Sequence, residues 1–157
     1  MPDWITHILV AWTSCKVLGF KFREFDNENT VLVMVGSLIP DIFKIYIPLD
    51  FFGVYLQYFI YPIHLPLGSL IMAALITLLF RDKKMVFVFL IFGFLTHYAL
   101  DSLLTYVSGG MELLFPFSWA EWQLRIIPVD DYNLMVLVGI IALSVYAFLK
   151  LTKRCLQ

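Results

Sequence analysis

The stretch LIFGFLTHYALDSLL, residues 90–104, is apolar enough to lie in a bilayer, yet it holds a histidine and an aspartate four residues apart. On a helix His97 and Asp101 share one face. Ionisable groups within a membrane are costly and usually mark a site. The spacing can present two ligands to one metal, as two histidines do in H-E-x-x-H; a structural His–Asp hydrogen bond between helices is the plainer alternative. The chain's other two histidines, His7 and His64, and Asp41 directly after Pro40 complete the candidate set. Each has a bland role open to it. His7 can be an ordinary interfacial histidine, His64 after Pro62 can merely start a helix, and Asp41 can bond freed backbone or pair with Lys44.

The elements that must position these residues follow from composition. Of 157 residues, 61% are hydrophobic and 15% charged, with a mean hydropathy of +0.86. A soluble domain needs a far more charged surface. The reading is an all-α integral membrane protein, a compact bundle of about five transmembrane helices forming a single domain over residues 1–157. A net charge of −1 excludes a broad basic face for nucleic acid. Cys15 and Cys155 have neither metal-ligand spacing nor the density of a disulfide framework.

Hydrophobic runs place the helices at about 4–20, 29–44, 64–80, 85–107 and 132–150, most of them near the roughly 20 residues that a crossing requires. The second is short and interrupted by Pro40. The aromatic stretch DFFGVYLQYFIYP, 50–62, is too short to span and reads as interfacial or re-entrant; 108–131, with Trp119 and Trp122, reads as a loop at headgroup level. In that loop Glu112, Asp130 and Asp131 read as solvated, while Asp3 reads as an N-cap. MPDW lacks the basic leading region of a signal peptide, so the N-terminus is read as mature protein.

Lys and Arg near helix ends are retained on the cytoplasmic side. RDKK (81–84) and KLTKR (150–154), joined by Lys16, Lys21 and Arg23, place nine of eleven basic residues together and leave only Lys44 and Arg125 opposite. The expected topology is multi-pass, with the N-terminus outside and the C-terminus cytoplasmic. At about 1.5 Å per residue, His97 and Asp101 lie roughly 18 to 24 Å above residue 85, in the outer half. Asp41, His64 and His7 fall near the same level, close to the extracytoplasmic leaflet. The orientation argument uses no histidine, so this shared depth is an independent sign that they converge.

The order of motifs, THI with His7, GSLIPD (36–41), His64 opening an apolar helix, THYALDS (96–102) and GGMELLFPFS (109–118), resembles the membrane-bound predicted metal-dependent hydrolases of the YdjM type. That family is in turn distantly similar to zinc-dependent phospholipase C and P1-type nucleases. The resemblance implies His7, Asp41, His64, His97 and Asp101 as metal ligands. Family members often carry H-R-x-x-T-H-S where this chain has HLPLGSL, so His64 is kept, Leu65 replaces the arginine and the second histidine is missing. No histidine follows His97, and Trp4 is not terminal, so the three-metal site of the soluble phospholipases does not carry over.

Mixed imidazole and carboxylate ligands suit one or two divalent ions, zinc first, with manganese or iron next. Asp101 is expected as ligand or bridge and Asp41 as ligand or base, the two candidate catalytic residues. Thr96 and Ser102 are expected to orient metal-bound groups, and Gly36 and Gly93 to let helices pack closely. The expected function is hydrolysis of a phosphoester or related bond, with membrane lipids as partners and an amphiphile as substrate. An ion-binding transporter or a non-catalytic membrane subunit is the alternative from another class.

Overall fold

The computed structural model describes residues 3–53, 60–105, 110–127 and 131–155. Among them are six α-helices: α1 Trp4–Leu18, α2 Asn27–Leu38, α3 Tyr46–Phe51, α4 Pro66–Thr77, α5 Lys83–Leu103 and α6 Asp131–Cys155. Short 3-10 turns, Pro40–Ile45 and Tyr61–His64, precede α3 and α4. No strand occurs among the described residues.

Aspartate caps set three helix starts. Asp3, Asp26 and Asp82 each accept a hydrogen bond from the amide three residues on, at 2.7, 2.8 and 3.2 Å, which satisfies one of the orphan donors of a first turn. The Asp3 cap is thus as the sequence indicates. The second helix is shorter than expected. It stops at Leu38, and the chain tightens into the 3-10 turn that begins at Pro40, whose ring and missing N–H cannot extend a helix. His64 does not open a helix either: it closes the Tyr61–His64 turn, and α4 begins at Pro66, where proline suits a first helical position. Residues 54–59 of the aromatic stretch lie outside the described residues.

Two helices, α5 and α6, are long and apolar enough to cross a membrane; α1 and α4 are shorter apolar helices of 15 and 12 residues. The two long helices differ in role. The central helix α5 packs against α1, α2 and α4, and buries Val86, Phe89, Leu90, Phe94 and Tyr98. By contrast α6 packs on α1 and turns Leu137, Ile140, Leu143, Phe148 and Leu151 outward. An apolar surface that wide on a helix face is what lipid, not water, covers.

Close approach of α2 and α5 rests on two glycines. A Cβ on Gly93 would come 2.7 Å from Gly36 Cα and from Ser37 N, and one on Gly36 would come 2.9 Å from Leu90 Cα. No real side chain fits there, so the two backbones cross in contact, the packing that small residues permit in membrane helices. This crossing brings the C-terminal end of α2 beside His97 on α5.

The loop after α5 folds back over that helix's end. Leu124 and Ile127 donate backbone hydrogen bonds to the carbonyls of Ser102 and Leu103, at 2.7 and 2.9 Å, and Met111 and Trp122 exchange a pair at 2.9 Å. Carbonyls that a helix end would leave unpaired are thereby satisfied. Trp119 and Trp122 stay exposed, and Glu112 is half-buried rather than fully solvated. Asp130 and the side chain of Asp131 lie outside the description.

Candidate metal centre

Four chain segments deliver one polar cluster into this otherwise apolar bundle. His7 comes from α1, Asp41 from the 3-10 turn after α2, His64 from the turn before α4, and His97 and Asp101 from α5. All five are buried, with relative exposures from 0% for His97 and Asp101 to 8% for His64.

Asp101 sits among the three imidazoles. Its Oδ1 lies 3.5 Å from His7 Nε2, and its Oδ2 lies 3.3 Å from His97 Nε2 and 3.9 Å from His64 Nε2. Asp41 Oδ1 faces His97 Nε2 at 3.8 Å. These separations exceed the 2.7–2.9 Å of a charge-assisted hydrogen bond. His7 Nδ1 and Nε2, His97 Nε2, Asp41 Oδ1 and both carboxylate oxygens of Asp101 accordingly have no hydrogen-bond partner. His97 Nε2 and Asp101 Oδ2, the pair of the plainer alternative, stand at ion-pair distance, longer than a charge-assisted hydrogen bond.

Two of the imidazoles are oriented from behind. His97 Nδ1 donates to Ser37 O at 2.8 Å, and His64 Nδ1 donates to Pro40 O at 3.1 Å; a carbonyl can only accept, so each Nδ1 carries the proton. In the neutral ring each Nε2 then turns its lone pair into the cluster. His7 stacks on His97, centroids 3.8 Å apart and planes 13° apart, an arrangement suited to neutral rings because two imidazolium charges so close would repel.

His64 is steadied further by α4 and α5. Tyr98 Oη lies 3.0 Å from His64 O and 2.7 Å from Ser69 Oγ, which in turn lies 2.8 Å from Ile63 O, so two hydroxyl protons are divided among these three contacts. Tyr98 and Ser69 did not stand out in the sequence. The expected helpers act elsewhere: Thr96 and Ser102 donate to Gly93 O and Ala99 O on their own helix. Polar side chains near helix interiors often satisfy themselves this way. Lys44, the anticipated alternative partner of Asp41, does pair with it, but through Oδ2, which leaves Oδ1 turned to the cluster.

The donor set fits a cation. His7, His97 and Asp101 form one trio, and Asp41, His64 and His97 another, the ligand atoms of each lying within 4.8 Å of one another. Zinc bonds of about 2.1 Å place tetrahedral ligands about 3.4 Å apart, close to the 3.3–3.9 Å found between the nitrogens and oxygens here. A buried carboxylate oxygen facing an imidazole lone pair, as Asp101 Oδ2 faces Nε2 of the Nδ1-protonated His97, costs several kcal/mol unless a cation joins them.

A model of the YdjM inner membrane protein family matches residues 1–155. The chain belongs to this family. Comparison with curated proteins and with solved structures gives no match. Membership agrees with the two long apolar helices and makes the chain a membrane protein. In this YdjM family chain the cluster's members come from both halves of the match, so the family's extent covers the whole constellation.

Proposed function

We propose that this YdjM family protein is a membrane-embedded, metal-dependent hydrolase in which His7, Asp41, His64, His97 and Asp101 hold one or two divalent cations, zinc foremost and manganese or iron next. The observation that carries the reading is the set of buried nitrogens and oxygens of His7, Asp41, His97 and Asp101 that have no hydrogen-bond partner and face each other at ligand-to-ligand spacing. Three imidazoles with two carboxylates favour a borderline ion over magnesium, which prefers oxygen.

When bound, such a cation supplies a Lewis acid that acidifies water and polarises the bond to be cut. The chain's own groups divide the remaining work. His97 is common to the two trios, and Asp101, with one oxygen toward His7 and the other toward His64 and His97, would serve as ligand or bridge. Asp41 Oδ1 is the atom available either to hold the cation or to take a proton from water, because Lys44 holds Oδ2 and fixes the carboxylate plane. Burial by α1, α2 and α5 excludes bulk water and strengthens each electrostatic contact.

A multi-pass topology with the basic ends cytoplasmic puts the cluster near the extracytoplasmic leaflet, where a lipid headgroup can be wet while its tails stay in the membrane. The shorter helices α1, α2 and α4, banked against α5, would complete about five crossings. A phosphoester in such a headgroup is the substrate class the resemblance to phospholipase C favours.

Elemental analysis of tag-free protein in detergent, beside His97→Ala and Asp101→Ala, tests the reading. About one or two zinc, manganese or iron atoms in wild type, lost in both variants with helical content kept, supports it, together with metal-dependent release of headgroup phosphate from lipid vesicles. Absence of metal after reconstitution with these ions overturns it.

A further inference from the structure

The end of the bundle opposite the cluster carries a different feature. Between α1 and α6 lies a groove of about 550 Å³ whose walls include Trp12, Phe20 and Tyr146 and whose polar rim is Lys16, Asn27 and Lys150. Lys16 Nζ donates to Asn27 Oδ1 at 2.9 Å, which holds its ammonium at the rim. Among the described residues no carboxylate lines this groove. It shares Trp12 and Tyr146 with a second trench of about 470 Å³, which runs on between the same helices past Leu9, Met34, Gly139 and Leu143 and is almost wholly apolar. Each volume falls in the roughly 300–1,000 Å³ range of ligand sites.

Two ammonium groups at one end of a continuous apolar trench complement a molecule with an anionic head and a hydrocarbon tail. We propose that this groove is a binding site for an anionic glycerophospholipid, its phosphate between Lys16 and Lys150 and one acyl chain along the trench over Gly139. Several facts converge on that occupant. At this same end Lys16, Lys21, Arg23, Arg81, Lys83, Lys84 and Lys150 outnumber Glu24, Asp26, Glu28 and Asp82, so the net charge there is positive. Gly139 has nothing within 4 Å of where a Cβ would stand, so the trench floor is open where a chain would lie. Trp12 and Tyr146 flank the junction of polar and apolar parts, the position such amphipathic rings take at a membrane interface. From Lys16 to His7 is about 14 Å along α1, so this site is separate from the metal centre and stands without it.

The test uses Trp12 as reporter. Trp4→Phe, Trp119→Phe and Trp122→Phe together leave it the sole tryptophan of the four in the chain. The variant is reconstituted into phosphatidylcholine vesicles doped with acyl-brominated phosphatidylglycerol or acyl-brominated phosphatidylcholine. Quenching by the anionic lipid at about tenfold lower mole fraction is expected. Adding Lys16→Gln and Lys150→Gln should shrink that preference to about twofold or less, Lys16→Arg with Lys150→Arg should keep it, and Gly139→Leu should weaken quenching by both lipids. In the chain with all its tryptophans, native mass spectrometry with equal phosphatidylglycerol and phosphatidylcholine should show the same ranking between wild type and the glutamine pair. Equal quenching by the two lipids, a preference that survives both glutamines, or no quenching by either because a second copy covers the groove would each overturn the proposal.

Discussion

The imidazoles of His7 and His97 lie face to face, 3.8 Å between centroids, although one comes from α1 and the other from α5. The stack both packs two helices together and aims two nitrogens at Asp101, so shape and ligation can be separated by substitution. His7→Phe keeps an aromatic ring in the stack and removes the donor atoms. Expected is a loss of metal affinity of tenfold or more with the apparent melting temperature, measured without metal, little changed; His7→Ala should lower both.

Metal should stabilise the bundle by mass action. A cation present at about 100 times its dissociation constant adds roughly 2.7 kcal/mol if it binds only the folded state. Thermal unfolding in detergent should therefore shift upward on adding zinc and downward with chelator. In Asp101→Asn neither shift should remain.

The glycine crossing predicts a sharp contrast between sites on the two long helices. Gly93→Ala forces α2 from α5, an overpacking that costs about 1–3 kcal/mol, and it should also reduce metal content because Ser37 and Asp41 move away from His97. Gly139→Ala meets open space and should change stability by no more than about 1 kcal/mol. Unfolding curves of the two variants side by side decide it.

Tyr98→Phe removes one hydroxyl that serves His64 O and Ser69 Oγ. A destabilisation of about 1 kcal/mol is expected. Because such outer contacts hold ligands in place, metal affinity should fall about tenfold or more, read by competition with a chromogenic chelator.

Lys44 pairs with Asp41 without contributing a metal-binding atom of its own to either trio. Lys44→Met should therefore leave metal content near the wild-type value, whereas Asp41→Asn should lower it. Loss of metal in Lys44→Met to the extent seen in Asp41→Asn would show that the ammonium, rather than the carboxylate, governs the site.

What the residues disclosed and what they hid divide along chemical lines. His97 and Asp101 were conspicuous because ionisable groups in an apolar run are costly, and the common depth of His7, Asp41 and His64 followed from counting rise along helices. Their meeting in one cluster is what the geometry adds. The partners that orient the rings were hidden, since Ser37 and Pro40 act through main-chain carbonyls, which every residue type carries. Thr96 and Ser102 looked apt by type but spend their hydroxyls on their own helix. The second run was overestimated because apolar composition continues through Pro40, where helical geometry does not, and the third because apolar composition extends beyond both ends of Pro66–Thr77, His64 closing a 3-10 turn before it. Tyr98 and Ser69 gave no signal, as an aromatic and a small polar residue on apolar faces read as ordinary packing.

The enclosure of the cluster also has a temporal side. With His97 and Asp101 wholly covered, an ion in the proposed site would exchange through local opening of the elements around them. In the proposed site, uptake and chelation of an ion would then be paced by local opening rather than by diffusion, so occupancy would follow how long the protein has stood with each metal as well as its affinity.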